Sequence, residues 1–206
     1  MPLHILDHPL ARHFISQLRD VRTDPQQFRV LCNQVTTILA IEATRDLPLR
    51  PQPIQTPLEP MEAAMLAKPV VVVAILRAGM GMVDRVVQLL PEVSVGYIGM
   101  ERNEVTAEAR LYYCKLPELR GRRVLVVDPM LATGGSAEQT IAEVIAAGGD
   151  DIRFLCIVAA PEGVARLHAR WPDLVIHAGS LDRELDARKY ILPGLGDFGD
   201  RLFGTL

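Results

Sequence analysis

Cysteine is scarce in this 206-residue chain: Cys32, Cys114 and Cys156 are odd in number, far apart, and include no CxxC pair. A disulfide framework and a thiolate zinc site are therefore not expected, and a reduced, cytoplasmic protein is. Long apolar runs are missing too. The longest spans 70–76, ends at Arg77, and falls far short of the roughly 20 residues of a membrane span, so no membrane partner is expected. The opening residues, MPLHILDHPLARHF, lack a charged stretch leading into an apolar core and a small-residue cleavage site, so no secretory signal is expected. Neither charge dominates: 22 Lys and Arg against 25 Asp and Glu give a net −3. With no basic cluster, a nucleic-acid partner is not expected. His4, His8, His13, His168 and His177 share no ligand spacing such as HExxH and read as surface or cap residues. What is present is globular. Hydrophobic residues at 49 % exclude disorder, and at about 150 residues per domain the length suggests a single domain over 1–206.

Two textures divide the chain. Residues 1–68 contain no strong strand and form a helical N-terminal region. There Asp24-Pro25 reads as an N-cap followed by Pro at the first helical position. Phe28, Leu31, Val35, Ile38 and Leu39 then recur at helical spacing, predicting a helix over 25–43. Pro48, Pro51, Pro53, Pro57 and Pro60 predict an extended connector, and 59–67 reads as a short helix. From residue 70 onward, β-rich apolar runs at 70–76, 93–100, 123–128, 152–159 and 174–179 alternate with helical patterns at 80–90, 136–147 and 162–171. Near-continuous apolar strands between helices predict an α/β fold with a parallel sheet covered on both faces. Residues 101–117, polar and then aromatic, have no helical period and predict a β-arm. Ligands in open α/β sheets sit at the carboxyl ends of strands. That selects Arg77, Glu101, Arg102, the stretch 128–136, and 161–163.

The sharpest of these is Val124-Leu-Val-Val-Asp128-Pro129-Met130-Leu131-Ala132-Thr133-Gly134-Gly135-Ser136. A buried strand ends in an acid, and Thr-Gly-Gly-Ser then opens a helix. Two glycines let backbone N–H groups converge, and the helix start adds unpaired donors and partial positive charge. Together they make a phosphate site, though not the ATP-type loop, because GxxxxGK[ST] is absent. Asp128, a few ångströms away, suits the hydroxyls of a phosphorylated sugar. A purely structural reading stands beside this one: Ser136 and Gln139 also match a capping box, and Gly-Gly a tight turn. Arg77 likewise reads either as a solvated strand end or as an anion clamp with forked donors.

This loop resembles the phosphoribosyl-pyrophosphate (PRPP) motif of type I phosphoribosyltransferases, and the wider pattern resembles the uracil phosphoribosyltransferases. Ile75 to Gly79 reads ILRAG, Asp128 to Ser136 reads DPMLATGGS, and Ala159 to Gly163 reads AAPEG. Pro193 to Thr205 reads PGLGDFGDRLFGT, where the family usually has Ala in place of Phe198, and Glu42 to Leu47 matches an EAT-DL element. The resemblance spans essentially the whole chain. It implies a type I phosphoribosyltransferase-like parallel sheet flanked by helices, with a β-arm at 101–117 and a base-binding C-terminal hood at 180–206. The implied reaction turns uracil and PRPP into UMP and pyrophosphate.

By the same resemblance PRPP is held by Arg77, Arg102, Asp128, Pro129, Met130, Leu131, Ala132, Thr133, Gly134, Gly135, Ser136 and Asp197. Arg102 matches the arginine of a GMYRDE element, although Glu101 and Asn103 replace its Tyr and Asp. Uracil is read by Ile191, Gly196, Asp197 and Phe198, with Asp197 and Arg77 as the catalytic pair. Mg²⁺ binds mainly through PRPP, with no protein metal ligand named and with Glu101 and Asp128 as outer-shell helpers. A homodimer or higher oligomer is implied, Tyr112 and Tyr113 packing the arm on a partner. GTP activates part of the family, but no GTP residues map onto this chain. Two alternatives stay open here: a PRPP-binding regulator that binds RNA, and a phosphoribosyltransferase for another base.

Overall fold

The computed structural model describes residues 2–102 and 109–205. Its strands are β1 (Leu3–Ile5), β2 (Leu49–Gln55), β3 (Pro60–Leu66), β4 (Val70–Leu76), β5 (Ser94–Arg102), β6 (Ala109–Lys115), β7 (Arg123–Val127), β8 (Met130–Leu131), β9 (Asp151–Ala159), β10 (Val175–Leu181), β11 (Glu184–Leu185) and β12 (Ile191–Leu192). The helices are α1 (Pro9–Arg19), α2 (Pro25–Ala43), α3 (Met80–Leu89), α4 (Gly135–Ala146), α5 (Pro161–Arg170) and α6 (Phe198–Phe203).

Among the described residues, eight strands join one sheet in the order β1-β10-β9-β7-β4-β5-β6, with β8 set against β9. Every pairing is parallel except β5 with β6. The predicted parallel sheet is thus present, and strand β4 shows why its sequence is apolar throughout. Val70, Val72 and Ala74 face the layer of α1, α2, α3 and α6, whereas Val71, Val73 and Ile75 face that of α4 and α5. Both faces are dry, so no alternation survives. Helix α2 begins as read: Asp24 accepts from the Gln27 N–H at 2.9 Å, with Pro25 at the first position. Among the described residues, no helix is long and apolar enough to cross a membrane.

Three expectations need correction. The stretch 49–66 is neither connector nor helix; β2 and β3 form an antiparallel ribbon. Its turn follows from Thr56-Pro57-Leu58-Glu59, where the Thr56 hydroxyl accepts from the Leu58 and Glu59 N–H groups. The ladder bonds Ala67 N–H to Pro48 O and Thr56 N–H to Glu59 O fix the even-numbered β2 positions as hydrogen-bonded. Pro51 and Pro53, and Pro60 opposite Gln55, therefore fall in the other phase, where no ladder N–H is needed. Cross-strand pairing overrides the local helical preference of 59–67. Second, the N-terminal region also contributes β1, paired with β10. Third, two histidines are buried. His168 bonds the Leu174 carbonyl through Nε2 at 3.0 Å. His177 stacks on His4 with centroids 5.0 Å apart, and burial together with His4 pushes its pKa down to about 4. His8 does cap α1, accepting from the Leu10 N–H. Cys156 is core, as read.

The arm is the antiparallel β5–β6 pair, which completes the sheet edge, with Tyr112 packed over Gly99. Residues 103–108 of the expected arm lie outside the described residues, as do the side chains of Glu101, Arg102 and Ala109.

At the opposite end of the sheet, Arg123 is buried against Asp46 (2.7 Å), Asp151 (2.9 Å) and the Ala43 carbonyl (3.0 Å), tying the end of α2 to β7 and β9. Arg123, with Arg153 behind it, holds the Asp46 carboxyl well below the usual carboxylate range. Without Arg123, Asp46 keeps Arg153, and Asp151 keeps Lys68 and Arg153, so the loss is that of the buried hydrogen bonds and not of every charge partner. Arg123→Ala is expected to cost about 1–3 kcal/mol, read as a fall in the urea midpoint with unchanged slope. A fall of under about 1 kcal/mol would mean that the cluster is solvated.

Candidate active site

The carboxyl end of the sheet carries the loop 128–136, expected to hold phosphate. After β7 the chain passes Asp128 and Pro129, and the Pro129 carbonyl accepts from the Ile157 and Val158 N–H groups (3.0 and 3.1 Å). Strand β8 pairs with Val158 and Ala159, and the Leu131 carbonyl accepts from the Ala160 N–H at 2.8 Å. The loop is thus stitched to β9 from below. Gly134 then sits at φ 77° as the N-cap of α4, with no side-chain cap. The capping box is accordingly not the local structure: the N-cap is Gly134, which has no side chain to accept with, and Ser136 lies inside the first turn. This is the arrangement an anion needs.

The AAPEG segment explains how the loop keeps its place. A Cβ on Gly163 would sit 2.5 Å from the Ala132 carbonyl and 3.0 Å from that of Leu131, so only glycine lets α5 approach. Glu162 accepts from the Leu185 N–H at 3.0 Å, attaching the hood to the same helix start. Gly79 acts similarly. A Cβ there would meet the Ile75 and Val127 carbonyls at 2.6 Å, so this glycine serves backbone packing after β4.

A cavity of about 350 Å³ joins loop to hood. Met130 and Ala132 line it from the loop, and Ile191, Gly196, Asp197 and Phe198 from the hood. The residues expected to read the base and two of the loop residues therefore meet around one space. Phe198, where the family usually has Ala, packs inward. Its ring is 3 % exposed and meets Phe28 edge-on at 5.1 Å, so the bulk that distinguishes it from Ala goes into packing against α2. Asp197 is exposed and caps α6 by accepting from the Asp200 N–H at 3.0 Å. Arg77 is exposed just past β4 and forms no ion pair among the described residues. It does not line this cavity, nor do Thr133 to Ser136. Of Arg102 only the backbone, at the end of β5, is described.

Sequence reading passed over Arg188, Lys189 and Tyr190, which line the same cavity from the turn between β11 and β12. Asp186 builds that turn by accepting from the Arg188 and Tyr190 N–H groups, both at 2.8 Å. The adjacent basic pair just before Tyr190 was the available signal. Arg166 was also missed. It lies beside Gly134 and Gly135 and pairs with Glu138 at 2.6 Å.

Asp128 is half-buried, and burial pushes its carboxyl up to about 7 against the opposing hydrogen bond from the Met130 N–H. The folded chain thus holds a proton that the unfolded chain releases. The cost is absent below the ordinary value of 3.8 and complete above about 7. Asp128→Asn should therefore stabilise the ligand-free protein, with a gain in Tm that grows from pH 4 to pH 8 in a melting series. A gain independent of pH would remove this origin.

Known proteins place the chain in a family. A family model described as uracil phosphoribosyltransferase matches residues 5–205. The uracil phosphoribosyltransferase of Staphylococcus aureus (strain Newman) is 47 % identical over 205 residues, covering 98 % of each chain. A solved Aquifex aeolicus protein superposes with a TM-score of 0.94 at 35 % identity, covering 98 % of this chain and 97 % of its own. A hypoxanthine-guanine phosphoribosyltransferase from Bacillus anthracis, 16 % identical, shares the fold with a TM-score of 0.54 over 81 % of this chain and 83 % of that one. The chain belongs to the uracil phosphoribosyltransferase family.

Proposed function

We propose that this chain transfers the phosphoribosyl group of PRPP to N1 of uracil, giving UMP and pyrophosphate. One observation carries the assignment of parts: Met130 and Ala132, on the loop that leads into α4, share a cavity with the hood residues Ile191 and Gly196 to Phe198. The start of α4 takes the 5′-phosphate through backbone N–H groups and the Thr133 and Ser136 hydroxyls. Asp128 accepts from the ribose hydroxyls. The hood presents backbone at Ile191 and Gly196 to Phe198, which suits a small planar lactam. Asp197 takes or relays the N1 proton while N1 bonds to the anomeric carbon. The bond from that carbon to pyrophosphate breaks, and its electron pair leaves with the pyrophosphate. Arg77, with Arg102, stabilises that departing charge.

Mg²⁺ held mainly through PRPP fits this donor set. Asp128 offers hard carboxylate oxygens, and among the described residues no three His, Cys, Asp or Glu side chains converge on a point. When bound, the ion neutralises charge on the leaving pyrophosphate. The RNA-binding regulator and the transferase for another base are not favoured, because the family match and the 47 % identical relative are both uracil enzymes.

The test is pyrophosphate release with PRPP and Mg²⁺ in the presence of uracil, orotate, cytosine or hypoxanthine, each with and without GTP. Turnover with uracil alone is expected. No turnover with any base while PRPP still binds would overturn the reading. The GTP arm decides whether this chain shares the activation found in part of the family. Arg77→Ala should lower kcat by about 10²–10³-fold, and Asp197→Asn by about 10²-fold. The Asn carbonyl still caps α6, so a loss at 197 is not a loss of the helix.

A homodimer is proposed from the β2–β3 ribbon. Among the described residues it pairs with no other strand, and Leu49, Leu58, Met61, Met65 and Leu66 on it are exposed, Leu58 to 93 %. An isolated two-stranded hairpin is marginal in water, so a second subunit is its natural cover. Light scattering should give at least twice 22.7 kDa; a monomer at micromolar concentration would sink the proposal.

A further inference from the structure

Between β12 and α6 the hood has no strand partner, so side chains must fix residues 193–197. The Gly194 N–H donates to Asp182 Oδ2 at 2.8 Å, and the Gly194 carbonyl accepts from Arg19 Nη1 at 2.7 Å. Arg19 and Asp182 are themselves joined by two parallel bonds of 2.6 and 2.7 Å. Ser180 supports both, donating to Asp182 at 2.9 Å and accepting from Arg19 at 3.0 Å. The Asp182 side chain is 2 % exposed, and its backbone N–H is held by the Ala159 carbonyl at 2.8 Å. Next along the hood, the Leu195 carbonyl accepts from Arg201 Nη1 at 2.7 Å. Arg201 also donates to the Leu18 and Asp20 carbonyls, and its guanidinium lies 4.6 Å over the Phe28 ring.

These bonds make a reciprocal clasp. Arg19 leaves the corner between α1 and α2 to hold the hood, and Arg201 leaves α6 to hold that corner. Both polar groups of Gly194 and the carbonyl of Leu195 are thereby turned inward. The backbone of Gly196 to Phe198 is left to the cavity that those residues line. Gly194 and Gly196 turn the chain at φ 61° and 82°, so nothing in their own conformation pins it.

We propose that Arg19, Asp182 and Arg201 are positioning residues that set uracil affinity and base discrimination by holding the hood backbone in register, without touching the substrate. This rests on the reading above that the hood recognises the base. The forked Arg19–Asp182 pair holds both backbone groups of one residue, the N–H and the carbonyl of Gly194, in a way a point charge does not, so conservative changes suffice to test it.

Full-length wild type is compared with Arg19→Lys, Asp182→Asn and Arg201→Lys. KM for uracil and for PRPP are measured separately with Mg²⁺, and amide exchange at 191–198 is followed with and without UMP. Arg19→Lys and Asp182→Asn should raise KM for uracil by about tenfold, with kcat and KM for PRPP within about twofold. The preference for uracil over thymine should shrink, and hood amides should exchange faster without ligand. Equal rises in both KM values, or a lowered Tm with an unchanged KM for uracil, would overturn the clasp. If wild-type hood amides gain no protection from UMP, the base-reading assignment fails and takes this proposal with it. Protection together with an unchanged KM for uracil overturns the clasp alone. Ser180→Ala repeats the comparison with a smaller expected rise, about threefold, where a charge variant fails to fold.

Discussion

Strand β9 ends where two demands meet, and its backbone serves both. On one side the Leu155 carbonyl and the Ile157, Val158 and Ala160 N–H groups fix residues 128–131. On the other side the Ala159 carbonyl fixes Asp182, from which the hood hangs. Phosphate loop and hood are therefore separated by one strand and its neighbours, at spacings of about 4.8 Å each. A slip of β9 by one residue would move both halves of the cavity at once and turn its buried side chains to the wrong faces. The ion cluster of Arg123 with Asp46 and Asp151 holds the other end of the same strand, and so sets its register from behind.

Pairing in this molecule stops where chemistry begins. Arg19, Arg123 and Arg201 each have several acceptors, and a half-buried or buried carboxylate pairs with the first two. At the carboxyl end of the sheet, by contrast, α4 starts without a side-chain cap, and Asp128 sits where burial penalises its charge. Such local conflicts are what a preorganised anion and sugar site requires, and the saturated networks around it offset their cost.

Elements whose own sequence fixes them were legible. The Asp24-Pro25 start of α2, the apolar strands and the loop after β7 all carry their signals within a dozen residues. The β2–β3 ribbon was not, because its identity lies in the phase of Pro51, Pro53 and Pro60 relative to a partner strand. The role of Gly163 was equally hidden. It is a contact with the Ala132 carbonyl, which is distant in sequence. Arg188 and Lys189 showed in the sequence only as an adjacent basic pair, and it is the Asp186 turn that brings them to the cavity. Phe198 stands where the family usually has Ala, and only its packing on Phe28 shows where the ring goes.

The proline phase of the ribbon also governs how it meets its surroundings. In an antiparallel pair the non-hydrogen-bonded positions point their backbone groups outward, along the free edges. On β2 those positions include Pro51 and Pro53, which have no N–H to offer. A third strand approaching that edge would find gaps instead of a continuous row of donors. The ribbon can thus expose apolar side chains for a subunit to cover while refusing open-ended strand addition, which keeps a sticky element from seeding fibrils.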